Sequence, residues 1–271
     1  MSRIYAEVIG DPIAHSRSPE IHSGWLAALG IAGEYRAVRV PPDALGNHLA
    51  ARRADPCWRG CNVTIPHKEA VLAHLDLLDP GAEAIEAVNC VVPRPEGLVG
   101  HNSDIDGVAS ALKGVAISGE CVVIIGGGGA ARAALRYLSE HKAGLVTVLV
   151  RNPDNAAHLE QSDAVAVGHL SDFEQVASRA SLIINASPLG MRGAALMPAQ
   201  LLAYVSASAI GKTLFDMVYE PLETPFLAAG RVGGGRAIDG LTMLIGQARA
   251  AFQLFFGQAS PPALPVDFGR D

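Results

Sequence analysis

Polar side chains that can hold a small hydroxylated acid and move one proton are concentrated in the first part of the chain. They follow apolar runs in the segments 10–19, 60–68, 87–89 and 100–107. The set supplies one amine, Lys68, and one carboxylate, Asp104, with hydroxyl and amide groups at Ser16, Ser18, Asn62, Thr64, Asn89 and Asn102. Loops that leave the carboxyl ends of parallel strands line the ligand crevice of open α/β sheets. The joint occurrence of these groups therefore predicts a binding site with acid–base chemistry.

Each of these residues also has an ordinary structural role. Serine and aspartate are common helix caps, asparagine forms turns, and a lysine such as Lys68 is often a surface charge on a helix. Ser18 precedes Pro19 at a predicted helix start, so we predict Ser18 as the N-cap residue. Each residue alone is therefore compatible with both a structural role and a functional role.

The apolar pattern predicts the elements that position these groups. Strands over 4–9, 35–40 and 60–64 alternate with helices over 18–29, 42–53 and after Pro66. A second series has strands over 121–125, 145–150, 165–167, 182–185 and 214–217, with a helix over 130–141. Alternation of strands and helices requires crossover connections and hence largely parallel sheets covered on both faces.

The two series predict an α/β fold of two doubly wound lobes with a ligand cleft between them. A short amphipathic helix within 105–116 is predicted to connect the lobes. A long closing helix over 239–257 has apolar residues at helical spacing.

The glycine-rich turn at 126–131 is the strongest general signal for a nucleotide. Gly126, Gly128 and Ala131 fit the pattern G-x-G-x-x-A between a predicted strand and a predicted helix. In that pattern Gly128 lets the backbone approach a pyrophosphate, which binds at the helix N-terminus. A plain tight turn would use the same glycines, and the strand–turn–helix context favours a Rossmann-type dinucleotide site.

The strand after this helix ends at Arg151. An enzyme that uses NAD would show an acidic residue there for the ribose 2′-hydroxyl, whereas a cation suits the 2′-phosphate of NADP. We therefore predict NADP as the cofactor. A solvated surface arginine is the alternative interpretation.

Composition excludes several classes of function. The net charge of −6 and the pI near 5.8 provide no basic field for a nucleic acid. The longest apolar stretches are shorter than the roughly 20 residues of a membrane helix, and no signal peptide is visible, so we expect no membrane partner and a cytoplasmic location. The four cysteines and nine histidines lack metal-ligand spacing, so no metal site is predicted.

A series of ordered motifs resembles the shikimate dehydrogenase family over nearly the entire chain. The motifs are Ser-x-Ser-Pro within 10–19, Asn-Val-Thr-x-Pro-x-Lys at 62–68, the segments 87–89 and 102–107, the glycine turn with Arg132, and the segments 185–191, 216–221 and 239–247. The resemblance implies an NADP-dependent enzyme of aromatic amino-acid biosynthesis that interconverts 3-dehydroshikimate and shikimate. It further implies a substrate-binding catalytic domain over 1–104, a Rossmann-type NADP-binding domain over 105–238, and a helix within 239–271 that packs back on the first domain. A monomer or a homodimer is expected.

The roles of individual residues transfer by position in these motifs. The resemblance implies that Lys68 and Asp104 are catalytic and that Ser16 and Ser18 bind the substrate carboxylate. The other residues that it places at the substrate are Asn62, Thr64, Asn89, Tyr219 and Gln247. Those that it places at the cofactor are Gly126, Gly128, Gly129, Ala130, Ala131, Arg151, Met217 and Gly240.

The chain departs from the family pattern at several positions. Cys90 and Ser103 stand where the family often has threonine, and Asn155 stands where a second basic residue would face the 2′-phosphate. A quinate or related cyclic hydroxy-acid dehydrogenase is therefore one alternative, although Ser16-x-Ser18 resembles shikimate-type members more. A non-catalytic dinucleotide-binding regulator is the second alternative, and the presence of Lys68 and Asp104 argues against it.

Overall fold

The structure is a computed structural model that describes residues 3–14, 16–160 and 162–263. The chain divides into two compact units, one formed by residues up to Asp104 together with those from Gln247 onward, the other by Ile105–Gly246. Among the described residues, no helix has both the length and the apolar character needed to cross a membrane.

The first unit is built on a six-stranded sheet with the strand order β2-β1-β3-β5-β6-β4. Its strands are β1 (Ile4–Gly10), β2 (Gly33–Arg39), β3 (Trp58–Val63), β4 (Leu77–Leu78), β5 (Cys90–Arg94) and β6 (Gly97–His101). The helices among them are α1 (Ser18–Ala28), α2 (Leu45–Arg53), α3 (His67–Ala70) and α4 (Pro80–Ile85), with 3₁₀ turns over Pro42–Ala44 and Val71–His74. Strand β1 pairs in parallel with both β2 and β3.

An antiparallel hairpin of β5 and β6, which the sequence pattern did not predict, completes this sheet. Strand β5 pairs antiparallel with β3 and with β6. Pro93 lies inside β5, and a proline within a short apolar run argues against a strand in sequence-based reasoning. The hairpin positions two residues of the predicted site, because Asn89 precedes it and Asn102 follows it.

Helix α1 begins differently from the prediction. Arg17 is the N-cap residue and already has helical dihedral angles, and no side chain caps the helix. The prediction of Ser18 as N-cap is therefore wrong, because the helical conformation reaches one residue further upstream. The Ser16 hydroxyl instead accepts a long hydrogen bond of 3.4 Å from the backbone amide of Ser18.

The second unit contains a fully parallel six-stranded sheet with the order β12-β11-β10-β7-β8-β9. Its strands are β7 (Val122–Ile125), β8 (Val146–Val150), β9 (Val165–His169), β10 (Leu182–Asn185), β11 (Thr213–Asp216) and β12 (Arg236–Ile238). The helices are α5 (Asp104–Ala111), α6 (Gly129–Glu140), α7 (Phe173–Ala177), α8 (Ala199–Ser208), α9 (Pro225–Val232) and α10 (Gly240–Phe256), with 3₁₀ turns over Pro153–Leu159 and Leu170–Asp172. The boundaries between the units fall within α5 and α10.

The strand order of the second unit reverses direction between β7 and β10. In doubly wound sheets a ligand binds outside the carboxyl ends of the strands at such a reversal. The glycine turn follows β7 directly. The topology therefore places the predicted nucleotide motif at the position where this class of sheet binds nucleotides.

Candidate active site

Lys68 and Asp104 form an ion pair in the first unit. Lys68 lies in α3, and Asp104 is the first residue of α5. The Lys68 Nζ atom donates a hydrogen bond of 2.5 Å to Asp104 Oδ2. The lysine side chain is 23% exposed, whereas the aspartate side chain is 3% exposed. The pair thus combines an amine that a bound molecule can reach with a buried carboxylate that orients it.

Two asparagine side chains hold Asp104 in place. Asn89 Nδ2 donates to Asp104 Oδ1 at 2.9 Å, and Asn89 Oδ1 accepts from the Ser103 backbone amide at 2.7 Å and from its hydroxyl at 3.2 Å. Asn102 Oδ1 accepts from the Asp104 backbone amide at 3.0 Å, and Asn102 Nδ2 donates to the Ala87 carbonyl at 2.8 Å. Both carboxylate oxygens of Asp104 are therefore engaged by protein donors.

Gln247 in α10 reaches the same cluster. Its Oε1 atom accepts a long hydrogen bond of 3.5 Å from Asn89 Nδ2. Four of the predicted site residues, Lys68, Asp104, Asn89 and Gln247, are thus joined by successive hydrogen bonds.

Ser16, Ser18 and Thr64 follow the carboxyl ends of the adjacent parallel strands β1 and β3. The Thr64 backbone amide donates to the Ile9 carbonyl at 3.0 Å, which ties the two strand ends together. Gly10 permits this approach, because a Cβ atom at Gly10 would lie 2.6 Å from Thr64 Cγ2. All three predicted residues are partly exposed.

Asn62 in β3 is held by three polar partners. Its Oδ1 atom accepts from the Tyr35 phenol at 2.6 Å, and its Nδ2 atom donates to the Asn89 carbonyl at 3.1 Å and to Cys90 Sγ at 3.0 Å. Burial raises the pKa of Cys90 to about 12, so this residue is a neutral thiol. Sequence reasoning assigned no role to Tyr35, because the pattern marked it only as a strand residue.

The glycine turn has a backbone conformation at Gly126 that favours glycine and open space beside Gly128. Gly126 has φ +105, and a Cβ atom there would lie 3.0 Å from the Ala186 carbonyl oxygen. Gly128 is the N-cap of α6 without a side-chain cap, and a Cβ atom there would meet nothing within 4 Å. Ala131 is fully buried in the core of this unit. The open space beside Gly128, at the N-terminus of α6, fits an anion-binding helix N-terminus.

Arg151 directly follows β8 and is exposed. In the part of the chain that the structure describes, it forms no ion pair with an acidic side chain. The neighbouring Asn152 side chain accepts a hydrogen bond from the Asp154 backbone amide at 3.2 Å. Among the described residues, the Arg151 side chain is therefore exposed and without an acidic partner.

Met217, Tyr219 and Gly240 lie in the second unit. A Cβ atom at Gly240 would lie 2.6 Å from the Met217 carbonyl oxygen, so only glycine allows these two predicted cofactor residues to approach each other. The segment of Met217 and Tyr219 leaves β11 at Asp216, the first residue of the motif at 216–221, for which the sequence predicted no role.

Asp216 anchors this segment from a fully buried position. It accepts hydrogen bonds from Asn185 Nδ2 at 2.9 Å, from the Val218 amide at 3.0 Å and from the Thr224 hydroxyl at 2.7 Å. Burial raises the pKa of Asp216 to about 6, and the hydrogen bonds oppose that rise. The motif residues Asn185 and Asp216 therefore fix the loops beside the predicted cofactor residues.

Comparison with known proteins gives matches over nearly the whole chain. The family model for the shikimate dehydrogenase substrate binding domain matches residues 8–91. The NADP(+) shikimate dehydrogenase of Sphingopyxis alaskensis is 44% identical over 270 residues, covering 98% of this chain and 94% of that protein. Shikimate 5-dehydrogenase of Thermus thermophilus, solved with NADP(H) and shikimate, has a TM-score of 0.82 and 35% identity, covering 96% of this chain and 95% of that one. The enzyme of Listeria monocytogenes, solved with shikimate and NAD, has a TM-score of 0.83 and 29% identity, covering 96% and 93% of the two chains.

Proposed function

The chain belongs to the shikimate dehydrogenase family, and on that premise we propose that Lys68 and Asp104 carry out the proton transfer of its reaction. The protein is an NADP-dependent oxidoreductase that interconverts 3-dehydroshikimate and shikimate. The observation that supports the proposal is the 2.5 Å bond between Lys68 Nζ and Asp104 Oδ2. Lys68 is also the only lysine in residues 1–104 and 247–271. Kinetics of Lys68 and Asp104 variants test the proposal.

The proton moves at the Lys68 amine. When the ketone is reduced, the ammonium form of Lys68 gives a proton to the oxygen that becomes the hydroxyl, and in the reverse direction the free amine takes that proton back. Asp104 accepts a hydrogen bond from Nζ and so fixes the direction in which the amine points. The nicotinamide cofactor would supply the hydride in its reduced form, NADPH, and accept it in its oxidised form, NADP+.

We propose that the substrate carboxylate is bound by the hydroxyls of Ser16 and Ser18. Both hydroxyls follow the end of β1, beside Thr64 at the end of β3. A preference for shikimate over quinate is part of this proposal, because quinate carries an additional hydroxyl on the carbon that bears the carboxylate.

Alanine at Ser16 or at Ser18 is expected to raise KM for shikimate more than it lowers kcat. A carboxylate remote from the reacting carbon is bound about equally in the ground state and the transition state. Loss of a hydrogen bond to a charged group costs roughly 1.5–3 kcal/mol, which is about a tenfold to hundredfold rise in KM. Ser23→Ala, in the same helix α1 but with its hydroxyl on the Tyr35 carbonyl, is the control. Unchanged KM in both serine variants would place the carboxylate elsewhere.

We further propose that the glycine turn and Arg151 bind NADP. The open space at the N-terminus of α6 fits the pyrophosphate. Arg151, which is exposed and pairs with no acidic side chain within 3–14, 16–160 and 162–263, fits the 2′-phosphate bidentately. Met217 and Gly240, which lie against each other, are assigned to the same site by family position.

In Arg151→Ala, the ratio of kcat/KM with NADP to kcat/KM with NAD is expected to fall toward one. A charged hydrogen bond of roughly 1.5–3 kcal/mol gives about a tenfold to hundredfold preference from this residue. The measurement is kcat/KM for both cofactors, with the exposed Arg179→Ala as a control variant. An NADP preference that survives in Arg151→Ala would show that this arginine is only a solvated surface charge.

A cytoplasmic location and a monomeric or homodimeric state complete the proposal. All four cysteines are free thiols, and free thiols are typical of a reducing compartment. Light scattering of the purified protein distinguishes the monomer from the dimer.

A further inference from the structure

The phenol of Tyr35 contacts the predicted substrate site from inside the first unit. Tyr35 lies in β2 and is 3% exposed. Its ring stacks on His22 at 4.1 Å with an interplanar angle of 6°. His22 is itself fully buried, and burial lowers its pKa to about 3, so the ring is neutral. The Tyr35 ring therefore has a fixed position from which its hydroxyl donates to Asn62 Oδ1 at 2.6 Å.

The partners of Asn62 determine the orientation of its amide. The Asn89 carbonyl can only accept, so the atom beside it at 3.1 Å is Nδ2. The two Nδ2 hydrogens are then used by the Asn89 carbonyl and by Cys90 Sγ. One lone pair of Oδ1 is used by Tyr35, which leaves one acceptor position. Asn62 can therefore accept one hydrogen bond from a ligand hydroxyl but donates none.

The contacts of the Tyr35 phenol extend through Asn62 to other predicted site residues. Burial raises the pKa of Tyr35 well above its usual range, so the phenol keeps its proton. From Asn62 the polar contacts continue through Cys90 to Ser103 at 3.4 Å, and from Ser103 to Asn89, which donates to Asp104. A hydrogen-bonded network thus runs from Tyr35 to the catalytic pair.

We propose that Tyr35 is a positioning residue for substrate binding, whose phenol holds Asn62 with its free acceptor position directed to a substrate hydroxyl. This inference rests on the proposed function, since it takes Asn62 as a substrate contact. Without the phenol, Asn62 Oδ1 loses a hydrogen-bond donor, and the Asn62 side chain can adopt other orientations. Substrate binding must then restrict that side chain again, which lowers the affinity for the substrate. Proton transfer is not affected, because Lys68 and Asp104 keep their own contacts.

Tyr35→Phe tests this role by removing one hydroxyl while keeping the stacked ring. One neutral hydrogen bond is worth roughly 0.5–1.5 kcal/mol, so KM for shikimate is expected to rise about threefold to tenfold. We expect kcat to stay within about threefold and KM for NADP to stay unchanged. Tyr5→Phe is the matched control: Tyr5 lies in the neighbouring strand β1, is also buried, and its phenol also makes a 2.6 Å bond, to Asp55 Oδ2. Tyr5→Phe is expected to leave both KM values unchanged.

A double-mutant comparison identifies the residue through which Tyr35 acts. In an Asn62→Ala background, Tyr35→Phe is expected to raise KM by less than about twofold, because the group that it positions is absent. If the wild-type protein does not turn over shikimate, the proposed function is wrong, and this inference is wrong with it. If the wild type does turn over shikimate, the inference alone is wrong when KM is unchanged in Tyr35→Phe, or when Tyr35→Phe raises KM equally in the Asn62→Ala background. A Tyr35→Phe variant that is unfolded while Tyr5→Phe is folded also overturns it, because the phenol is then structural.

Discussion

Replacing Lys68 with alanine is expected to lower kcat for shikimate oxidation by roughly 10²- to 10⁴-fold, the usual contribution of a general acid–base group. The variant lacks the amine that takes the hydroxyl proton, and the first unit has no second lysine to replace it. Binding of NADP is expected to stay near wild type, because the predicted cofactor residues lie in the other unit. Steady-state kinetics and cofactor titration measure the two quantities separately.

The control for this variant is Lys113→Ala, which removes an exposed lysine of the second unit. Its kcat is expected to equal that of the wild type. If Lys68→Ala also keeps wild-type kcat, Lys68 is a surface charge and the acid–base assignment is wrong. If Lys68→Ala loses NADP binding while Lys113→Ala keeps it, the effect of Lys68 is not confined to proton transfer, which contradicts the assigned role.

Replacing Asp104 with asparagine is expected to lower kcat by roughly 10²-fold or more. Both oxygens of Asp104 accept hydrogen bonds, one from Lys68 and one from Asn89. An asparagine has a single acceptor oxygen, so one of these donors must face an NH₂ group. The variant therefore loses either the hydrogen bond from Lys68 or the hydrogen bond from Asn89 that fixes the side chain at position 104.

The double variant of Lys68→Ala and Asp104→Asn distinguishes a catalytic pair from two independent effects. Groups that act as one unit lose little more together than the first of them loses alone. We expect kcat of the double variant to lie within about tenfold of that of Lys68→Ala. The exposed Asp43→Asn variant serves as a charge-matched control. If the fold-decrease in kcat of the double variant equals the product of the fold-decreases of the two single variants, the two residues do not share one proton-transfer step.

The predictable parts of the site are those that depend on short segments of the sequence. Lys68 follows β3, which the apolar pattern predicts, and residues after parallel strands of one sheet meet at its edge. Asp104 follows β6, which the pattern does not predict, so its place in the site comes from the motif at 102–107. The glycine turn is likewise local, because three residues within six positions, Gly126, Gly128 and Ala131, indicate one backbone conformation. These features depend on short segments and not on how distant segments pack.

The parts that sequence could not supply depend on tertiary contacts. Tyr35 bonds Asn62 across 27 positions of sequence, and nothing near Tyr35 marks that contact. The roles of Asn89 and Asn102 in holding Asp104 are visible only once the hairpin of β5 and β6 brings the segments together. The error at Ser18 is smaller, since helix ends commonly shift by about one or two residues between a pattern and a structure.

The most direct test of the central claim, an NADP-dependent shikimate dehydrogenase with its acid–base pair in the first unit, is a grid of initial rates on the purified protein. Shikimate, quinate and aminoshikimate are each assayed with NADP and with NAD, in the wild type and in Lys68→Ala. We predict the highest kcat/KM for shikimate with NADP, and a loss of roughly 10²-fold or more for that combination in Lys68→Ala. A higher kcat/KM for quinate, a preference for NAD, or undiminished turnover in Lys68→Ala would contradict the account.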